Sequence, residues 1–201
     1  MSAAFGGSQA LWFVSRASGL ALLAAFSATV VLGVAARLGS APKRWSRLAL
    51  GELHRSLALF SVSFLGLHVA TAIADPYVRI GWAAAVLPFV SPYRTLAIGL
   101  GALAVDLGGA VLVTSLVRRR LGYRGWRVVH WLAYLAWPVA FVHSIMAGND
   151  LRIWWVALVE AGCAFAVATA MVARLLSWWR GPEPKPPGLP GRSVPTERIP
   201  V

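Results

Sequence analysis

The chain holds four histidines, and they fall into two pairs inside apolar segments: His54 and His68, 14 positions apart, and His130 and His143, 13 apart. Imidazole is a common metal ligand. A histidine in hydrocarbon is costly without a partner, so an intramembrane histidine is a functional candidate. Two helices that each carry a histidine near both ends can together hold two flat, axially ligated metal cofactors, one above the other. The residues therefore predict a membrane electron conduit built around two b-type haems, ligated as His54/His130 and His68/His143.

The elements that must position these side chains follow from composition. The chain is 58% hydrophobic and only 13% charged, with a mean hydropathy of +0.68, whereas a soluble domain is nearer half apolar and a quarter charged. The predicted fold class is an all-α membrane protein, a bundle of about five transmembrane helices over residues 1–180, followed by a disordered proline-rich cytoplasmic tail over 181–201. Five apolar runs are long enough to cross a bilayer: Leu11 to Ala36, Leu53 to Ala74, Thr95 to Val117, Trp126 to Ala147 and Ile153 to Leu176. The first is longer than the apolar core of a signal peptide and lacks a basic leader. Between the second and third runs, Ile80 to Leu87 is expected to form a short helix on the membrane surface, where Trp82 would sit well.

The net charge of +12 is distributed by topology. Arg37, Lys43, Arg44 and Arg47 follow the first run, Arg118, Arg119, Arg120 and Arg124 follow the third, and Arg180, Lys185, Arg192 and Arg198 follow the fifth. The alternate connections are lean, with Asp75, Arg79 and Arg94 in one and Asp150 and Arg152 in the other. Basic loops face the cytoplasm, which predicts a multi-pass protein of the cell membrane with its N-terminus outside and its C-terminus inside. Because the basic residues punctuate spans and no binding fold accompanies them, nucleic acid is not an expected partner; membrane lipid is.

In that topology the second and fourth runs are parallel, so His54 is level with His130 near the cytoplasm and His68 with His143 near the outer face. Fourteen residues rise about 21 Å and thirteen about 20 Å, within a hydrocarbon core about 30 Å thick. At about 100° per residue, His54 and His68 share a face, but His130 and His143 lie about 140° apart on an ideal helix. Pro138 lies between them, and the kink it makes is the expected device for closing that difference.

Other residues take roles from their neighbours. Ala58, Ser61 and Leu65 are on the His54/His68 face, where small side chains let a porphyrin approach. Trp137, midway between His130 and His143, is a candidate aromatic bridge between the two macrocycles, with packing alongside Tyr134 as the plain alternative. Arg55 and Arg127, and with less claim Arg124, lie level with the inner histidines, where arginine suits the carboxylates of haem. Asp106 and Glu160 fall inside spans, so each needs a partner or a proton. Either could orient a ligand imidazole through its second nitrogen, and Asp106 ranks first as nearer the centre of its run. Cys163, the sole cysteine, is expected to be a small packing residue.

The 14-residue spacing followed by a 13-residue spacing resembles the ferric reductase-like transmembrane domain shared with NADPH oxidases. The words around the histidines fit as well: Glu52-Leu-His54-Arg55 opening one helix, Val113-Thr-Ser-Leu and a basic turn, then Trp126-Arg-Val-Val-His130-Trp-Leu-Ala-Tyr134. The resemblance spans roughly Leu48 to Gly148. It implies transmembrane electron transfer through two haems b on His54, His68, His130 and His143. Those reductases often have six helices, against five runs here, and continue into a flavin and nicotinamide domain; only a short tail follows the last run here. The expectation is therefore the haem-binding membrane subunit of an oxidoreductase, fed by a separate flavoprotein reductase or a quinone and delivering to ferric iron, oxygen or a periplasmic protein. The haem-binding subunit of the periplasmic methionine sulfoxide reductase system is a relative of this stand-alone kind.

Two other classes compete. A haem-free metal or ion transporter would pass a divalent cation between histidines clustered at one level, whereas these lie at two levels. A structural subunit of a larger membrane complex would carry them as vestiges.

Overall fold

A computed structural model describes residues 2–39, 46–76, 78, 80–148 and 152–180. The expected disordered tail from Gly181, and the basic residues Lys43 and Arg44, lie outside the described residues, as do Arg79 and Asp150.

The described residues form seven helices: α1 (Ser2–Leu38), α2 (Arg47–Ala74), α3 (Trp82–Val86), α4 (Thr95–Leu116), α5 (Arg118–His130), α6 (Leu132–Ala147) and α7 (Trp154–Trp179). Four of them, α1, α2, α4 and α7, are each long and apolar enough to cross a membrane; α5 and α6, bent by 41° to one another, meet that measure only as a pair. These are the five predicted runs, and α3 is the expected short helix between the second and third. Local signals set the ends. The Ser46 side chain accepts the Ala49 amide at 3.0 Å and caps α2. Gly148 ends α6. Gly122, with φ of 70° inside α5, turns the chain through a conformation that side-chain-bearing residues avoid, so that the basic turn after α4 can reverse.

The fourth run departs from expectation in where it breaks. Pro138 sits inside α6, while the break falls at Trp131, one residue after His130. There the helix tightens to i→i+3 bonds, from the Trp131 amide to the Val128 carbonyl at 3.3 Å and from the Tyr134 amide to the Trp131 carbonyl at 3.0 Å. A tighter turn advances about 120° per residue rather than 100°. The break and the local overwinding both lie between the two histidines, so the angle expected of one ideal helix does not hold between them.

Packing is organised in antiparallel pairs. The most extensive contact is between α1 and α2, the next between α4 and α6, and α7 closes against α1. A small core of Leu23, Val30, Trp137, Cys163 and Val167 ties α1, α6 and α7 together, and Cys163 is the packing residue it was expected to be. The outer surface is apolar, with Phe60, Leu96, Leu158 and Phe165 all exposed, as lipid-facing side chains are. Exposed tryptophans mark both ends of α7, Trp154 and Trp155 at one and Trp178 and Trp179 at the other. That places indoles about 35 Å apart along the helix, the separation of two membrane interfaces. This is a multi-pass membrane protein.

Candidate functional site

The histidine-bearing helices, α2 on one side and α5 with α6 on the other, are joined by no packing comparable to that within the antiparallel pairs. They face each other across a cavity of about 1480 Å³ that reaches all four histidines. Sites for one small ligand run to about 300–1,000 Å³, so this volume suits more than one. Ala58, Ser61 and Leu65 line it as the α2 face was expected to.

Across it the imidazoles meet in twos. The rings of His54 and His130 have centroids 6.3 Å apart, and those of His68 and His143 are 6.2 Å apart. Ligating nitrogens sit about 2 Å from a metal and about 1.1 Å from their own ring centre, so two imidazoles on opposite sides of one metal have centroids about 6.2 Å apart. Both pairs match that span. Among the described residues no group of three or more His, Cys, Asp or Glu side chains comes together, so the histidines are not clustered at one level.

Three of the four rings are oriented by the same device. His54 Nδ1 donates to the Thr29 carbonyl at 3.0 Å, His68 Nδ1 to the Ser15 carbonyl at 2.8 Å, and His143 Nδ1 to the Ala97 carbonyl at 2.6 Å. A carbonyl only accepts, so each Nδ1 carries the proton and each Nε2 keeps its lone pair for a metal. In every case the residue four positions after that carbonyl, one helical turn on, is a glycine against which the ring lies. A Cβ on Gly33 would come within 3.3 Å of His54, one on Gly19 within 3.0 Å of His68, and one on Gly101 within 2.7 Å of His143. The missing side chain is what lets an imidazole reach main chain on the neighbouring helix.

This corrects the expected role of the carboxylates. Carbonyls of α1 and α4, not Asp106 or Glu160, hold the second nitrogen. Asp106 is exposed on the bundle surface. Glu160 is the buried one: its Oε1 accepts from the Ser144 hydroxyl at 2.7 Å, and its Oε2 has no partner among the described residues. Trp137 has the packing role that was its plain alternative. It belongs to the α1–α6–α7 core, lines a different cavity of about 200 Å³, donates Nε1–H to Ser27 Oγ at 2.9 Å and stacks on Phe141.

Arg55 and Arg127 line the cavity at the His54/His130 end, while Arg124 does not. Two arginines that the sequence reading passed over line it too. Arg16 lies over the Trp12 ring at 4.9 Å and donates to the Ala147 carbonyl, at the His68/His143 end. Arg174 lies over Trp131 at 5.8 Å, at the other end, with its Nε buried and unpartnered among the described residues. Their signal was present, since a lone arginine inside an apolar run is as costly as a histidine there. The glycines carried a signal as well: Gly19 and Gly33 repeat the 14-residue interval of His54 and His68.

No curated protein and no solved structure matches the chain. A family model does, over residues 18–141, a stretch that takes in Gly19, Gly33 and the Thr29 carbonyl of α1 as well as His54, His68 and His130, with Ser15 and His143 just outside it. The chain belongs to the family described as the ferric reductase like transmembrane component.

Proposed function

We propose that this protein moves electrons across the membrane, with haem b held by His54 and His130 at one level and by His68 and His143 at the other. The observation that carries the reading is the equal span of the two imidazole pairs, 6.3 and 6.2 Å, across one cavity. Bound there, haem would supply a one-electron carrier at each of two depths. Family membership supports the same kind of activity.

The chain's own residues have definite tasks in this reading. The carbonyls of Ser15, Thr29 and Ala97 fix the Nδ1–H tautomer and aim Nε2 at the cavity. Held between two imidazoles, haem at each site would supply electron transfer rather than oxygen binding. The small residues of α2 leave room for a flat ring, and the apolar walls exclude water. Arg16 at one end, with Arg174, Arg55 and Arg127 at the other, would bind carboxylates of the ligand.

The basic connections support a cytoplasmic position for the His54/His130 end. An electron from a separate flavoprotein reductase or a quinol enters at that end, where Arg37, Arg118 and Arg119 also line the mouth. It leaves at the other to ferric iron, oxygen or an outer-side protein. The test is the purified protein in detergent. Pyridine haemochrome should give two haems b per chain, and dithionite should produce a b-type spectrum. Protein purified gently and carrying no haem would overturn the reading.

A further inference from the structure

The fourth histidine lacks the device that holds the other three. His130 Nδ1 is buried without a hydrogen-bond partner among the described residues. The reason lies in α4. In α1 the two supporting glycines, Gly19 and Gly33, are 14 apart; the same step along α4 from Gly101 leads to Ser115. The carbonyl one turn before it, that of Val111, accepts from the Ser115 hydroxyl at 2.6 Å. Where a fourth glycine would complete the pattern, the chain has a hydroxymethyl group.

Something else must therefore set the His130 ring. Its face lies on the Trp126 indole, with centroids 4.8 Å apart and planes at 29°. Trp126 is itself anchored, because its Nε1–H donates to Ser115 Oγ at 3.2 Å. We propose that Trp126, pinned by Ser115, is the positioning residue for His130, a side-chain stack replacing the glycine-and-carbonyl support of the other three imidazoles. This rests on the haem reading above. It has a local consequence: Trp126 governs the ring orientation of one ligand of one site and leaves the other site alone.

The experiment uses the full chain with haem bound. In Trp126→Leu, which removes the stack, the midpoint potential and the low-spin EPR signal of one haem should shift while those of the other stay in place. Trp126→Phe keeps an aromatic face and should restore most of the wild-type signal. Ser115→Ala removes the anchor only and should give a smaller shift of the same haem. His130→Ala identifies the affected haem as the one it removes. Wild-type potentials and EPR in Trp126→Leu, or equal shifts of both haems, would overturn the proposal. Should Trp126→Leu not accumulate, Ser115→Ala decides it, and no shift of either haem in that variant counts against it. Absence of haem from the wild-type protein is a separate result that removes the parent reading instead.

Discussion

At the His68/His143 end of the cavity both imidazoles donate to backbone carbonyls and both lie against glycines. At the His54/His130 end only His54 does; its partner leans on an indole. The two ends span the same distance between rings, so one geometry is reached by two kinds of support. The difference follows from the helices. The α1–α2 pair is regular, with matching 14-residue intervals on both members. The α4–α6 side is interrupted at Trp131, directly after His130, and α4 offers a glycine at only one level. Main chain positions a ring rigidly because the helix itself must move before the acceptor does. A side-chain stack is adjustable by substitution.

The sharpest way to break the comparison is to remove a ligand at each end. His68→Ala and His54→Ala should each halve the haem per chain, and pyridine haemochrome would check that each end binds independently. Next in size are the glycines. Gly101→Ala places a Cβ against His143 and should weaken haem retention at that end about tenfold or more, the scale of losing an outer support of a metal ligand. Gly33→Ala, with more room beside His54, should do less, as seen in haem loss to an apoprotein acceptor. Ser144→Ala leaves Glu160 with neither oxygen partnered and should lower stability by about 1–3 kcal/mol in thermal unfolding. Trp137→Phe loses its bond to Ser27, about 1 kcal/mol, with the haem spectrum unchanged because it does not line the large cavity. The smallest effect is expected for Asp106→Asn, which should leave haem content and both potentials as they are.

Much of the architecture was legible in the chain. The five apolar runs, the short helix around Trp82 and the pairing of His54 with His130 and of His68 with His143 all follow from hydropathy and spacing, and the structure brings those pairs together. What could not be read was which polar groups support the rings. Asp106 looked more central than Glu160, yet it faces outward, because position within a run says nothing about azimuth. Trp137 looked central too, but the turn at Trp131 and the packing of α7 rotate it into the α1–α6–α7 core. Backbone carbonyls are present at every residue, so no composition or motif singles out those of Ser15, Thr29 and Ala97.

The order of apolar runs, the placement of basic turns and the interval between histidines are one-dimensional properties, and the sequence by itself determined them: length in residues converts directly to depth in a bilayer when the element is a helix. Which helix stands behind each imidazole was decided only by tertiary structure. A glycine becomes a groove, and a carbonyl an acceptor, only when another helix is laid against it at the right rotation. That rotation is set by the packing of the whole bundle, not by any stretch of the chain taken alone.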